Sequence, residues 1–242
     1  MKLLVRLNTL HAMLACIIPF LFFAPFLYIT SRSTYLHEYV HKINKLWSWV
    51  FFILLGNPIK IHYRYKPTKR DQFIVVANHF SFFDIPAMTL LPLSFKFIGK
   101  NAIAKVPIFG PIYEKVHITV DRNRISSKIA AQRKAIKEIE NGNSLGFFPE
   151  GGMKSLKPPN MVRFKDGAFQ LADSMEVPIL PVTLKTNYKL MPKDKWLSVY
   201  RGPFEMVVHE PQSSDKKTLN PVKDLRDRVY QIIQDELNDK II

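Results

Sequence analysis

No Asp, Glu, Lys or Arg occurs between Arg6 and Arg32, and nearly every side chain from Ile17 to Tyr28 is apolar. A stretch like that must bury itself in a core or in lipid, because exposing so much apolar surface to water is unfavourable. A secretory signal peptide has a short apolar centre followed by a small-residue cleavage site. This stretch instead stays uncharged from Leu7 to Ser31 with bulky aromatics throughout, so it is expected to be retained. Met13-Leu14-Ala15 before Cys16 resembles a lipoprotein cleavage site only loosely. Pro19 and Pro25 each remove a backbone donor, so the segment should bend. A second apolar run, Leu46 to Leu55, carries Trp47, Trp49, Phe51 and Phe52 but has about half of the roughly 20 residues a span requires.

Lys2 and Arg6 precede the first run and Arg32, Lys42 and Lys45 follow it, so the basic residues give no inside–outside asymmetry. A single pass would put one basic cluster on the far side. Two helices dipping into one leaflet would keep both clusters in the anionic headgroup layer, where each Lys or Arg contributes about 1 kcal/mol. Residues 1–59 therefore read as a monotopic helical hairpin in preference to a single-pass span, with a pair of buried core helices as the third reading.

The net charge of +15 over 242 residues favours a polyanionic partner: nucleic acid, an anionic bilayer face or a phosphorylated small molecule. The basic residues are scattered through both halves without the stacked aromatic-basic motif of an RNA reader, which argues against nucleic acid. Cys16 is the only cysteine, which leaves no disulfide framework and no clustered-thiol metal site and fits a reducing compartment.

From residue 60 to 242 the pattern becomes that of one α/β domain. Phe73–Ala77, Phe95–Ile98, Ile118–Val120, Leu145–Phe148, Ile179–Leu184, Leu197–Tyr200 and Phe204–Val208 read as short buried strands. Ser126–Asn141, with Ile129, Ile136 and Ile139 on one face and a Gly142 stop, reads as a helix, and Pro221–Leu237 as a charged terminal helix. The alternation predicts a mixed β-sheet covered by helices. Lys154–Val162, with two prolines, reads as a surface loop.

Two motifs compete for the chemistry. His37-Glu38-Tyr39-Val40-His41 matches H-E-x-x-H, whose histidines share a helix face and suit zinc in a membrane protease. A catalytic zinc needs a third protein ligand, and between His41 and Asp71 there is no Asp, Glu or Cys, only His62. The motif reads better as part of a polar helix at the headgroup layer, and no metal is expected. The other motif is Asn78-His79 followed by Asp84, directly after the first domain strand. A His whose tautomer is fixed by a carboxylate can take a proton from a hydroxyl. On an unbroken helix residues five apart are about 140° apart, so His79 and Asp84 meet only if His79 lies in the loop and Asp84 in the first helical turn.

Three further segments end strands or open helices: Val116–Arg122, Phe148-Pro149-Glu150-Gly151, and Arg163-Phe164-Lys165-Asp166-Gly167-Ala168. With Lys105-Val106-Pro107-Ile108-Phe109-Gly110 and Val177-Pro178-Ile179-Leu180-Pro181-Val182, this ordered set resembles the glycerolipid acyltransferase family, specifically bacterial 1-acylglycerol-3-phosphate acyltransferases. Asn78 to Asp84 looks like that family's N-H-x4-D block, and residues 116–122 look like G-x-x-F-[IV]-D-R. Phe148–Gly151 is similar to the start of F-P-E-G-T-R, and residues 177–182 to V-P-I-[VI]-P-V. The likeness covers about residues 60–210. Val116 and Thr119 depart from the second block, and Gly152-Met153-Lys154 replaces Thr-Arg-Ser, so Met153 stands where the third-block arginine is expected.

The resemblance implies the fold of that family and direct transfer from an acyl thioester to a lysophospholipid hydroxyl. His79 would be the base and Asp84 its orienting partner, with Ser81 structural rather than an acyl-carrying nucleophile. Asn78, Lys105, Arg122, Glu150, Gly151, Lys154, Arg163 and Lys165 are the expected acceptor-binding residues, Glu150 alternatively organising the loop. The implied donor is acyl-CoA or acyl-carrier protein as a substrate, with no bound cofactor. The implied setting is the cytoplasmic side of a bacterial inner membrane. Another lysolipid, such as a lyso-ornithine lipid, is the alternative acceptor. A zinc protease and a basic membrane-binding protein without catalysis are the alternative functions.

Overall fold

A computed structural model describes residues 2–193 and 198–239. Seven strands form one sheet: β1 (Ile59–Tyr63), β2 (Ile74–Ala77), β3 (Phe95–Lys100), β4 (Ile118–Val120), β5 (Ser144–Phe147), β6 (Ile179–Leu184) and β7 (Phe204–Val208). Their order is β1-β7-β6-β2-β5-β3-β4, parallel throughout except where β6 meets β7. Five adjacent strands therefore run one way, and the loops that follow β2, β4, β5 and β6 emerge at one edge. That edge is where side chains from separate stretches of sequence converge. The sheet is mixed and helix-covered, as the alternation predicts.

Central strand β2 is buried along its whole length, as a strand covered on both faces should be. Its alternate residues enter different layers. Val75 and Ala77 pack with Phe51, Phe52, Phe83, Leu180 and Phe204, whereas Ile74 and Val76 pack with Ala135, Leu145, Phe169, Val229 and Ile233. The first layer is roofed by α1 (Lys2–Ser31), α2 (His37–Leu54) and α3 (Asp84–Met88). The second is built on α5 (Ile125–Glu140), α6 (Gly167–Met175) and α8 (Pro221–Asn238). α4 (Phe109–Val116) lies against α1, and α7 (Asn187–Leu190) follows β6.

The two N-terminal helices do form a packed pair, but they differ in kind. α2 buries Val40, Ser48, Phe51 and Phe52, and its Ser48 hydroxyl shares a 2.7 Å hydrogen bond with Thr89. α1 is long and apolar enough to cross a membrane and leaves Leu7, Leu10, Ile18, Leu21, Phe22, Phe26 and Ile29 exposed. It remains one continuous helix through Pro19 and Pro25. The Trp47 indole donates to the Cys16 carbonyl at 3.2 Å, tying α2 to α1.

Two expectations need correction. β1 was not anticipated, and the boundary set between residues 59 and 60 falls one residue inside it. Of the strand expected at 197–200, Leu197 lies outside the described residues and the other three form no strand. Their backbone donors go elsewhere: Val199 N–H to the Thr9 hydroxyl at 3.2 Å and Tyr200 N–H to the Leu190 carbonyl at 2.8 Å.

Candidate active site

The site begins where β2 ends. The Asn78 carboxamide accepts from Leu184 N–H at 2.8 Å and donates to the Leu184 carbonyl at 3.1 Å, clamping β2 to β6. It is fully buried. These bonds make Asn78 an internal brace, which corrects its expected place among the acceptor-binding residues.

Beyond this clamp the chain turns, and Asp84 opens α3 while reaching back over the turn. Its Oδ2 accepts from Phe80 N–H at 2.7 Å, from Ser81 N–H at 2.8 Å and from His79 Nδ1 at 2.9 Å. Its Oδ1 accepts from Asn187 Nδ2 at 2.6 Å. The five-residue spacing works because His79 precedes the helix and Asp84 is its first residue, so helical periodicity never separates them. Surrounded by donors, the carboxylate accepts from Nδ1–H, which leaves the Nε2 lone pair free to take a proton. Asp84 is completely buried, whereas the His79 side chain keeps 12% of its surface exposed. The imidazole stacks on Phe148 with ring centres 4.1 Å apart, and Phe148 stacks in turn near Phe97. Ser81 is no free nucleophile: its buried hydroxyl donates to Met191 O at 3.1 Å and accepts from Phe83 N–H at 3.2 Å.

Glu150, after β5, ties this loop to the next. One oxygen accepts from His79 N–H at 2.8 Å and the other from Val162 N–H at 3.2 Å. Its side chain organises the loops from inside. Burial pushes its carboxyl up to about 7, against the pull of those two N–H groups, and the Asp84 charge pushes the same way.

A cluster of cations stands beside the loop. Arg122, after β4, donates to the Gly151 carbonyl, and Lys165 N–H donates to Pro149 O at 2.9 Å. Gly151 has φ +78°, and a Cβ there would lie 2.9 Å from Lys165 Cε and 3.4 Å from Arg122 Nη1. Only glycine lets the backbone take this shape with both side chains so near. Burial and the charges of Lys154, Arg122 and Lys128 push the Lys165 ammonium below its ordinary value. Lys128, in the first turns of α5, was not anticipated; its one signal is its place six residues after Arg122. Lys105 and Arg163 are exposed and are not among the charges acting on Lys165.

On the other face of the sheet, an apolar cavity of about 350 Å³ is walled by Ala12, Cys16, Trp47, Phe51 and Met191. Phe82, Phe83, Ile85 and Pro86, flanking Asp84, also line it. His37 and His41 line a separate polar cavity of about 260 Å³ with His117 and Lys96. His37 contacts Ser31 O at 3.3 Å, His41 contacts Leu91 O at 3.4 Å, and Glu38 pairs with Lys42 at 3.0 Å. Among the described residues no group of three or more His, Cys, Asp or Glu is arranged to hold a metal ion.

The Acyltransferase family matches residues 58–185, more than half of the chain, and this segment contains His79, Asp84, Arg122 and Glu150. The chain belongs to this family. It is 29% identical over 205 residues to the chloroplastic 1-acyl-sn-glycerol-3-phosphate acyltransferase of Brassica napus, covering 81% of this acyltransferase and 56% of the plant protein. The Haemophilus influenzae 1-acyl-sn-glycerol-3-phosphate acyltransferase is 24% identical over 78% of each chain. The crystal structure of the 1-acyl-sn-glycerophosphate acyltransferase PlsC from Thermotoga maritima superposes with a TM-score of 0.81 at 26% identity, covering 100% of this acyltransferase and 99% of that chain. The chain spans a little over half the length of the plant and algal relatives it matches.

Proposed function

We propose that this acyltransferase moves an acyl group from a thioester to the free sn-2 hydroxyl of 1-acylglycerol-3-phosphate, producing phosphatidic acid. The observation that carries the reading is the His79–Asp84 pair at 2.9 Å, set between an apolar cavity and a cation cluster. The proteins it resembles in sequence and in fold bear the name of that activity.

In this reading His79 Nε2 takes the proton of the acceptor hydroxyl as its oxygen attacks the thioester carbonyl. The C–O bond forms and the C–S bond breaks, and the imidazolium returns its proton to the departing thiolate. Asp84 holds the ring and stabilises the imidazolium. Arg122, Lys165 and Lys154 take the acceptor phosphate, with Lys128 adding to the field. The cluster supplies cations even though Met153 replaces the arginine of the third block. It favours a phosphomonoester acceptor over a lyso-ornithine lipid. The apolar cavity suits an acyl chain, because Ala12, Cys16 and Phe51 offer it no polar partner.

Both acceptor and product are lipids, and the exposed apolar face of α1 supports a protein held at the membrane. The helices α1 and α2 act as its anchoring hairpin, and the sheet that begins at Ile59, with its covering helices, as the catalytic domain. Thioester donors, acyl-CoA or acyl-carrier protein, are made in the cytoplasm, so the catalytic domain faces that side of a bacterial inner membrane.

The experiment is release of free thiol by purified protein, given each donor with a panel of lysolipids. Thiol release dependent on 1-acylglycerol-3-phosphate, lost in His79→Ala, supports the proposal. Equal rates with acceptors lacking phosphate would overturn the headgroup assignment.

A further inference from the structure

Asp84 is held not only by the turn it caps but by a residue more than a hundred positions away. Asn187 Nδ2 donates to Asp84 Oδ1 at 2.6 Å, and Asn187 is 1% exposed. It lies two residues past the end of the matched family segment. The carboxamide can face Asp84 only through its nitrogen, since turning it over would set its oxygen against a carboxylate oxygen. The consequence is visible at its other end, where Asn187 Oδ1 is buried without a hydrogen-bond partner among the described residues. A buried orphan acceptor costs stability, and an apolar side chain of the same size would avoid that cost. A position serving packing alone would not keep an amide there.

The backbone around it is fixed from two sides. Asn187 follows β6, and the neighbouring Thr186 hydroxyl accepts from Glu205 N–H in β7 at 2.9 Å. The donor is thus delivered to Asp84 by the sheet, independently of the turn that delivers His79. From the β2 side come His79 Nδ1 and the N–H groups of Phe80 and Ser81. From the β5 side comes Glu150, which feels the charge of Asp84 and whose carboxyl holds His79 N–H.

We infer that Asn187 is a positioning residue for the reaction: it fixes the orientation of the Asp84 carboxylate and so keeps the His79 ring aimed at the acceptor. This rests on the assignment of His79 and Asp84 given above. With the amide in place, one Asp84 oxygen is engaged from the sheet and the other by Nδ1–H and the N–H groups of Phe80 and Ser81. Without it, Oδ1 loses its donor, the carboxylate is held at one oxygen only, and more of its charge falls on the imidazole.

Two variants of the full-length protein test this. Asn187→Leu removes the donor together with the orphan oxygen; Asn187→Ala removes both with no bulk left to strain the fold. Both should lower kcat at least tenfold while the KM of donor and acceptor stays within about threefold, because no substrate contact is removed. Both should also raise the midpoint at which the His79 ring titrates, followed by NMR of ring-labelled histidine assigned with His79→Ala. Each leaves Asp84 a less shared partner for the imidazolium. A structural role alone would lower thermal stability without moving that midpoint in the same direction in both. If Asn187→Leu does not fold, Asn187→Ala carries the test through its kcat and titration. Unchanged kcat and an unchanged midpoint in the folded variant overturn the inference. A raised midpoint in a protein whose His79→Ala form still turns over would overturn the assignment of the base and leave the coupling of Asn187 to the pair standing.

Discussion

Glu150 offers the sharpest physical test of how this site is built. Its carboxyl is 1% exposed and binds the N–H groups of His79 and Val162, and burial raises it from the ordinary 4.5 to about 7. The native protein therefore holds a proton between these two values that the unfolded chain has released. Its contribution to stability is complete below about pH 4.5 and is lost as pH rises through about 7. A displacement of some 2.5 pH units at 1.36 kcal/mol each gives about 3 kcal/mol. Glu150→Gln removes the titration. It also sets an amide donor against one of the two N–H groups, which adds a pH-independent cost of about 1 kcal/mol. Urea unfolding of both proteins in detergent, followed by tryptophan fluorescence from pH 4.5 to 8.5, isolates the term as the wild-type minus variant difference. That difference should move against the wild type by about 3 kcal/mol across the range, with unchanged m-values. A flat difference, or one moving in favour of the wild type as pH rises, would refute the burial argument. Since the Asp84 charge also pushes Glu150 upward, Asp84→Asn should shift the transition to lower pH.

Other substitutions probe the rest of the site. His79→Ala should reduce thiol release by about a thousandfold or more with the fold intact by circular dichroism; near-normal turnover would sink the mechanism. Asp84→Asn should fall by a similar factor, because an amide facing Nδ1 selects the wrong tautomer, and a pH–rate profile measured beside the wild type checks it. Arg122→Ala and Lys165→Met should each raise the KM for the phosphorylated acceptor by about tenfold and leave the donor KM unchanged, as initial rates with each substrate varied will reveal. Gly151→Ala forces a Cβ to 2.9 Å from Lys165 Cε at φ +78°, so it should lower stability by about 1–2 kcal/mol in the same urea assay and weaken acceptor binding. Paired Phe22→Asp and Phe26→Asp on the exposed face of α1 should release the protein from anionic vesicles in a flotation assay.

Much of this was legible in the sequence because the chemistry sits where strands end. β2 and β6 are short apolar runs followed at once by polar residues, β5 leads through Phe148 and Pro149 to Glu150, and six of the seven strands could be read as such runs. β1 escaped because it is an edge strand whose residues alternate between half-buried and exposed, so Ile59-Lys60-Ile61-His62-Tyr63 resembles no buried run. The His79–Asp84 pair was readable only with the helix starting at Asp84, since an earlier start would have separated the two side chains. Asn187 was not readable at all. Its partner is 103 residues away in sequence, and a lone Asn after a strand carries no local signal. Asn78 misled in the opposite sense: its place in the N-H-x4-D block implied an acceptor contact, but successive residues leaving a strand point to opposite faces, and Asn78 points inward to Leu184. The bend expected at Pro19 and Pro25 left no break in the helix, which runs unbroken from Lys2 to Ser31.

The direction of the strands explains why so few residues suffice. Because β6, β2, β5, β3 and β4 run in parallel, the turns after four of them meet at one edge, each bringing one component: His79 with Asp84, Arg122, Glu150 and Asn187. The layers on the two faces differ in kind. Helices α1 and α2 wall the apolar cavity, while Lys128 and Lys165 come from α5 and the segment entering α6. A lipid acceptor has the same polarity, with a hydrocarbon chain, a hydroxyl and a phosphate in that order. If the acceptor lies across the edge in that sense, lengthening the apolar end should affect turnover without altering how strongly salt weakens binding. Changing the cations should do the reverse.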